Sequence, residues 1–248
     1  MQQLLKYTLM PMNALTRVQR SEMYALMQAN YNEMNECNFH SDLDKKQFVG
    51  IISDTSKHLQ GFTTFAINPG NSGTDQYNIL FSGDTVLSPE QWGSQIMMQG
   101  WCESVGNIIA SDSSKEWYWY LMSKGHRTYL YLPLFFKVFY PAPDISEDNM
   151  LKQITDRVSR ILFSSDWYPD LGIVRFPHSL GELKPELVDA AYQKAKSKNI
   201  GFFLERNPGF FKGDELICLA PLFPDNMLRS ARDFMISGME HPLKINVS

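Results

Sequence analysis

The stretch with the most chemical content runs from Asn78 to Trp101, NILFSGDTVLSPEQWGSQIMMQGW. An extended run ends in a Gly-containing turn and leads straight into a segment whose Met97, Trp101, Ser104, Val105 and Ile108 share one helix face. A helix start reached this way leaves backbone N–H groups free and carries the positive end of the helix dipole, so it suits an anion such as pyrophosphate. A tight strand-to-helix turn without a ligand accounts for the same residues. Cys102 beside Trp101 reads as a small buried thiol, with no histidine near it in sequence to activate it. His40, His58, His126, His178 and His241 stand apart, without a second ligand at metal spacing.

The elements that must hold this stretch follow from periodicity. Residues 4–10 read as a strand, 13–32 as a helix with Leu15, Val18, Met23, Leu26 and Met27 to one side, and 41–52 as a second helix. Residues 57–67 and 76–86, rich in Phe, Thr, Ile and Val, read as a hairpin around the turn formers of 68–75. The helix from about Gly93 is followed by an aromatic strand at 116–122 (EWYWYLM) and a regular helix from near Leu132, where Pro133 suits a first turn. Residues 149–163 and 185–196 are helical by the same periodicity, and 164–182 is a long loop. Residues 200–205 and 215–219, flanking NPGFFKGD, predict a second hairpin, and 225–236 a last helix. The pattern is α/β (α+β): a central mixed sheet, helices on both faces, and a C-terminal β-hairpin. No internal repeat or linker divides it, so residues 1–248 read as a single domain.

Val86-Leu87-Ser88-Pro89-Glu90 followed by Gly93 resembles the strand, turn and coenzyme A pyrophosphate loop of the GNAT acyltransferase superfamily, and the order of elements across most of the chain is similar. The family loop reads Q/R-x-x-G-x-G/A; here Trp92, Gln95 and Met97 stand where Arg or Gln, Gly, and Gly or Ala belong, and Gly93 alone is kept. The resemblance implies acyl-coenzyme A as co-substrate, with Val86, Trp92, Gly93, Ser94, Gln95 and Arg127 as candidate cofactor-binding residues. Lys124, His126 and Arg127 would meet cofactor phosphates, or form a solvated basic turn. It further implies a pantetheine arm between diverging strands and a tyrosine, Tyr140 or Tyr131, that protonates the departing thiolate. Core packing accounts for both tyrosines equally. Acylation of an amine also removes a proton, for which Asp84 and then Glu103 are placed best. Asp84 also suits a turn or bulge. Phe202, Phe203, Phe210 and Phe211 would line an acyl or aromatic pocket, or pack the hairpin.

Composition sets the outer limits. The apolar fraction is 44%, and 16 Phe, 11 Tyr and 5 Trp supply large core side chains. A net charge of -4, with basic residues clustered only at Lys184–Lys198 on a solvated helix face, argues against nucleic acid as a partner. Cys37, Cys102 and Cys218 lie far apart, as in reducing cytoplasm, and no run is long enough to span a membrane. The expected function is transfer of an acyl group, from acyl-coenzyme A or an acyl carrier protein thioester, to a small-molecule amine or amino acid. The alternative is a catalytically silent domain of the same type that binds a ligand or a protein.

Overall fold

The computed structural model describes residues 4–144, 150–178 and 181–243, so Asn149 and residues 179–180 of the 164–182 loop fall outside it. The chain opens with β1 (Lys6–Pro11) and α1 (Arg17–Asn30), whose start is fixed by a capping box: the Thr16 hydroxyl accepts from the Gln19 N–H and the Gln19 side chain accepts from the Thr16 N–H. The short β2 (Tyr31–Asn32) follows at once, and then α2 (Glu36–Leu43), capped by Asn35. The helix predicted over 41–52 is corrected here. Its second half is β3 (Phe48–Ser53), because Val49, Ile51 and Ile52 are β-branched residues that gain burial between two sheet neighbours.

β4 (Leu59–Ile67) and β5 (Tyr77–Leu87) form the expected antiparallel pair. A 3-10 turn at Pro89–Gln91 delays the next helix, so α3 (Ile96–Ile109) starts three residues beyond Gly93. It crosses over to β6 (Glu116–Ser123), which lies parallel to β5. In place of one regular helix near Leu132 there are two short ones, α4 (His126–Tyr129) and α5 (Tyr131–Phe135), with Pro133 in the first turn of the second. Beyond them the chain is extended, and Phe136 and Tyr140 bridge to Met227 and Leu219.

The remainder is α6 (Met150–Phe163), the short strands β7 (Trp167–Tyr168), β8 (Ile173–Val174) and β9 (Glu182–Leu183), then α7 (Pro185–Gln193), α8 (Lys198–Arg206), β10 (Glu215–Pro221) and α9 (Arg229–Met239). The C-terminal hairpin is thus corrected: residues 200–205 are helical. Ile200 and Phe203, three apart, are both buried, and Phe203 packs its ring against Tyr129 and Phe210. β10 pairs with β6 and β8 instead.

The sheet runs β1-β3-β4-β5-β6-β10-β8-β7, with β5 and β6 its parallel pair, while β2 and β9 pair separately. Alternation along the central strands feeds two faces. Leu80, Trp119 and Leu121 pack with residues of α3, α5 and α9; Ile79, Tyr118 and Tyr120 pack with residues of α6; and Phe62 and Val86 pack with α1 and α2. α3 and α9 touch closely enough that a Cβ on Gly106 would collide with the Met235 carbonyl, and one on Gly238 with that of Glu103. Among the described residues, no helix is long and apolar enough to cross a membrane.

Candidate functional site

The two central strands part company. β5 and β6 are in register from Tyr77–Glu116 to Ser82–Leu121, and beyond that point β5 continues to Leu87 paired only with β4, while β6 stays with β10. A bulge drives the parting: Thr64 faces Gly83 and Phe62 faces Val86, so Thr63 alone opposes both Asp84 and Thr85. Asp84 takes the left-handed conformation, φ 46°, which a short polar side chain tolerates best. The extra residue bends β5 away and leaves its edge from Gly83 onward without a strand partner on the β6 side.

Two cavities open on this gap. The smaller, about 270 Å³, is lined on one side by Val86, Leu87 and the turn residues Trp92 and Gly93, and on the other by Gly125, His126, Arg127, Thr128 and Tyr131. The Arg127 guanidinium lies 4.0 Å from the centre of the Trp92 ring, so a cation stands at this turn. Gly93 has φ 91°, and a Cβ there would meet nothing within 4 Å, so the backbone is open to a ligand. The helix start behind it is partly satisfied: Ile96 N–H donates to the Ser94 hydroxyl. Met97 is buried, so its side chain leaves the turn clear, and Gln95 is exposed.

Two polar side chains in this cavity make no hydrogen bond among the described residues. His126 is 3% exposed, and its imidazole has no hydrogen-bond partner among the described residues. Burial, and then the neighbouring Arg127 charge, push its pKa down to about 4, so it is neutral near pH 7. The Tyr131 hydroxyl is likewise unpartnered among the described residues. Burial raises its pKa against the opposing pull of Arg127, and its ring stacks on Phe135 at 5.3 Å.

The larger cavity, about 520 Å³, lies on the α1–α2 side. Asp84 faces it with neither a hydrogen bond nor an ion pair among the described residues. Burial pushes its carboxyl up to about 6 from an ordinary 3.8, although Lys46 pulls the other way. The buried lysines are otherwise committed: Lys46 Nζ sits 2.9 Å from Asp42, and Lys124 Nζ sits 3.5 Å from Glu215 and donates to the Gly181 carbonyl at 2.8 Å. Tyr31, Thr85 and Thr128 line both cavities. These three hydroxyl-bearing residues mark where the spaces meet. Thr85 shares a 2.8 Å hydrogen bond with Thr63, whereas the Tyr31 hydroxyl has no partner among the described residues, and burial followed by the Glu215 and Asp84 charges raises its pKa.

Six of the residues singled out in the sequence thus share the smaller cavity: Val86, Trp92, Gly93, His126, Arg127 and Tyr131. Asp84 is both the bulge residue and a cavity carboxylate. Ser94 and Gln95 line neither cavity. Glu103, half-buried on α3, is bonded to Gln99 and also lines neither. Tyr140 is corrected in place: it lies on no helix, is 3% exposed, exchanges backbone hydrogen bonds with Leu219 and packs with Tyr118 and Tyr120, outside both cavities. Cys102 is buried in the α3 core, and burial raises its pKa. Phe202, Phe203 and Phe210 pack in or against the core around Tyr129. Tyr31 and Thr128 carried no signal in the sequence, because the turn after α1 and the first turn of α4 are brought together only by tertiary folding.

The α3 crossover between parallel β5 and β6 and the parting of those strands are the arrangement that the resemblance implied, whereas its terminal hairpin is not formed. The fold is a mixed α/β sheet flanked by helices. No family model matches the chain, and no curated protein does. Among solved structures, an acyl-CoA N-acyltransferase from Pseudomonas aeruginosa is 15% identical, covering 52% of this chain and 85% of that one at a TM-score of 0.39. A GNAT family N-acetyltransferase from Escherichia coli, solved in complex with CoA, is 9% identical over 49% of this chain and 64% of its own, at a TM-score of 0.35. A conserved protein from Enterococcus faecalis V583, described as a probable N-acyltransferase, is 12% identical over 55% of this chain at a TM-score of 0.38, and the match spans only 33% of its length. These are partial likenesses, and the chemistry of the two cavities stands on their own residues.

Proposed function

We propose that the chain is an N-acyltransferase in which a thioester donor occupies the smaller cavity, an amine acceptor occupies the larger one, and the two meet at Tyr31, Thr85 and Thr128. The observation that carries this reading is the sharing of those three residues by both cavities at the point where β5 and β6 separate. The donor, acyl-coenzyme A or an acyl carrier thioester, supplies an acyl carbon activated by a thiolate leaving group. The open edge of β5 and the unpartnered His126 are fitted to the amide groups of its pantetheine arm, and Trp92, Gly93 and Arg127 to the phosphate end.

Each residue then has a definite task. Asp84, its carboxyl near pH 6, is ionised at neutral pH and takes the proton that the amine loses as the C–N bond forms. The Tyr31 hydroxyl at the junction donates to the carbonyl oxygen as negative charge develops there. Tyr131, kept protonated by burial, donates to the sulfur as the C–S bond breaks.

The test is calorimetric titration with coenzyme A and with pantetheine, alongside thiol release from acetyl-coenzyme A with a panel of amines. Binding of coenzyme A or pantetheine that weakens in Arg127→Ala, together with amine-dependent thiol release, supports the reading. Absence of both leaves the chain as a silent binding domain, the alternative favoured by Gln95 in place of the loop's second glycine.

A further inference from the structure

The larger cavity also restricts what kind of amine it takes. Its walls are apolar on several sides, with Met27 and Met34 from the α1 end, Phe81 and Met122 from the sheet, and Phe163 and Phe176 opposite. Its volume of 520 Å³ falls within the range of about 300–1,000 Å³ typical of pockets for drug-sized ligands. Charge enters at few places. Lys46 is held by Asp42 and lies 4.4 Å from the centre of the Phe81 ring, and Lys124 is held by Glu215 and the Gly181 carbonyl. Lys45 and Glu33 are exposed at the rim. Among the described residues, the one inward charge with no hydrogen bond or ion pair is the Asp84 carboxylate.

We infer that the acceptor is a primary amine carried on an apolar, aromatic-sized body and lacking a carboxylate, with its ammonium at Asp84 and its body against the Met and Phe walls. This rests on the acyltransferase reading for what happens to the amine, but not for its binding. A carboxylate on the acceptor would face Asp84 and Glu215 with both buried lysines already committed, and an unpaired buried charge is costly. A polyamine would have to strip water from its further ammonium groups against thioether and phenyl surfaces.

Tryptamine, tryptophan and spermidine separate these cases, since tryptamine differs from tryptophan only by the carboxylate. Each is titrated into the protein at about pH 7.5, with and without coenzyme A, while thiol release from acetyl-coenzyme A is followed in parallel. Tryptamine is expected to bind at least about 10-fold more tightly than either competitor, and Asp84→Asn to lose at least about 10-fold of that affinity. Asn suits the left-handed backbone at this position, and a melting curve checks that the variant is folded. Equal or tighter binding of tryptophan or spermidine, no binding of tryptamine, or unchanged affinity in folded Asp84→Asn overturns the inference. Tryptamine binding without thiol release retains the amine site and removes the acyltransferase reading. Thiol release with spermidine or tryptophan, without tryptamine binding, does the reverse.

Discussion

The same two strands behave in opposite ways at their two ends. Where β5 and β6 are paired, the tyrosine hydroxyls and two of the indoles of the aromatic core are answered, the Trp167 N–H being an exception. The Tyr118 hydroxyl donates to Glu116 at 2.8 Å, Tyr120 and Ser159 are 2.7 Å apart, Tyr129 donates to the Pro141 carbonyl at 3.0 Å, and Trp101 and Trp119 both donate to Ser82. Where the strands separate, Tyr31, Tyr131, His126 and Asp84 have no hydrogen-bond or ion-pair partner among the described residues, although each is partly or wholly buried. None of their polar atoms is sealed from solvent, so they stand open to a ligand without the cost of about 1–3 kcal/mol that a fully buried, unanswered group carries. Tyrosine content alone therefore says little; hydrogen-bond satisfaction separates a tyrosine that builds the fold from one positioned for a ligand.

This contrast can be broken most severely at Asp84. Asp84→Asn should lower turnover by about 100-fold to 10,000-fold, the usual contribution of a positioned base, measured as thiol release at saturating donor. The same variant tests burial. Because the folded carboxyl titrates near 6 and an ordinary one near 3.8, its contribution to stability is fully present below about pH 4 and lost as pH rises through 6. Asp84→Asn should then melt at a higher temperature than the parent at about pH 8, with little difference near pH 3. The base role also requires the rate of the parent to fall as pH drops through about 6.

Next in size is the pair Tyr31→Phe and Tyr140→Phe. The first should reduce kcat by about 100-fold with donor affinity unchanged, the loss expected for one donor to a developing oxyanion. The second should leave kcat alone, since Tyr140 lines neither cavity. Equal kinetic losses would erase the distinction between the open and closed ends. Gly93→Val should weaken donor binding about 10-fold by filling the open turn, with a strain of about 1–2 kcal/mol from its left-handed backbone showing in the melting curve. The smallest effect is Tyr120→Phe, which should cost about 1 kcal/mol of stability by leaving Ser159 without its partner, with turnover unchanged.

Much of the fold was legible because its signals are local. The strand at 76–86, the crossover helix and the aromatic strand at 116–122 are set by period and turn residues, and their parallel pairing follows from the crossover. Residues 48–52 and 200–205 were misread because short apolar runs fit either period, and partners far away in sequence decide: β1 and β4 for the first, Tyr129 and Phe210 for the second. The donor side of the site was legible through Val86, Trp92, Gly93, Arg127 and Tyr131, all on or next to the strand-turn-helix motif and the strand that follows. The acceptor side was not. Tyr31 reaches the junction from the end of α1, and its significance lies in an unanswered hydroxyl, which no sequence pattern records.

The central claim, that a thioester arm lies in the gap between β5 and β6, is tested most directly by labelling. Thr128→Cys in a Cys37→Ser background places a thiol at the junction while Cys102 and Cys218 remain buried. S-bromoacetyl pantetheine carries the arm common to both donor types and alkylates a thiol it is held against, with loss of bromide. The account predicts one label at residue 128, suppressed by excess pantetheine and absent from the Cys37→Ser parent. Labelling that pantetheine does not suppress, or no label at residue 128 in a folded variant, would contradict it.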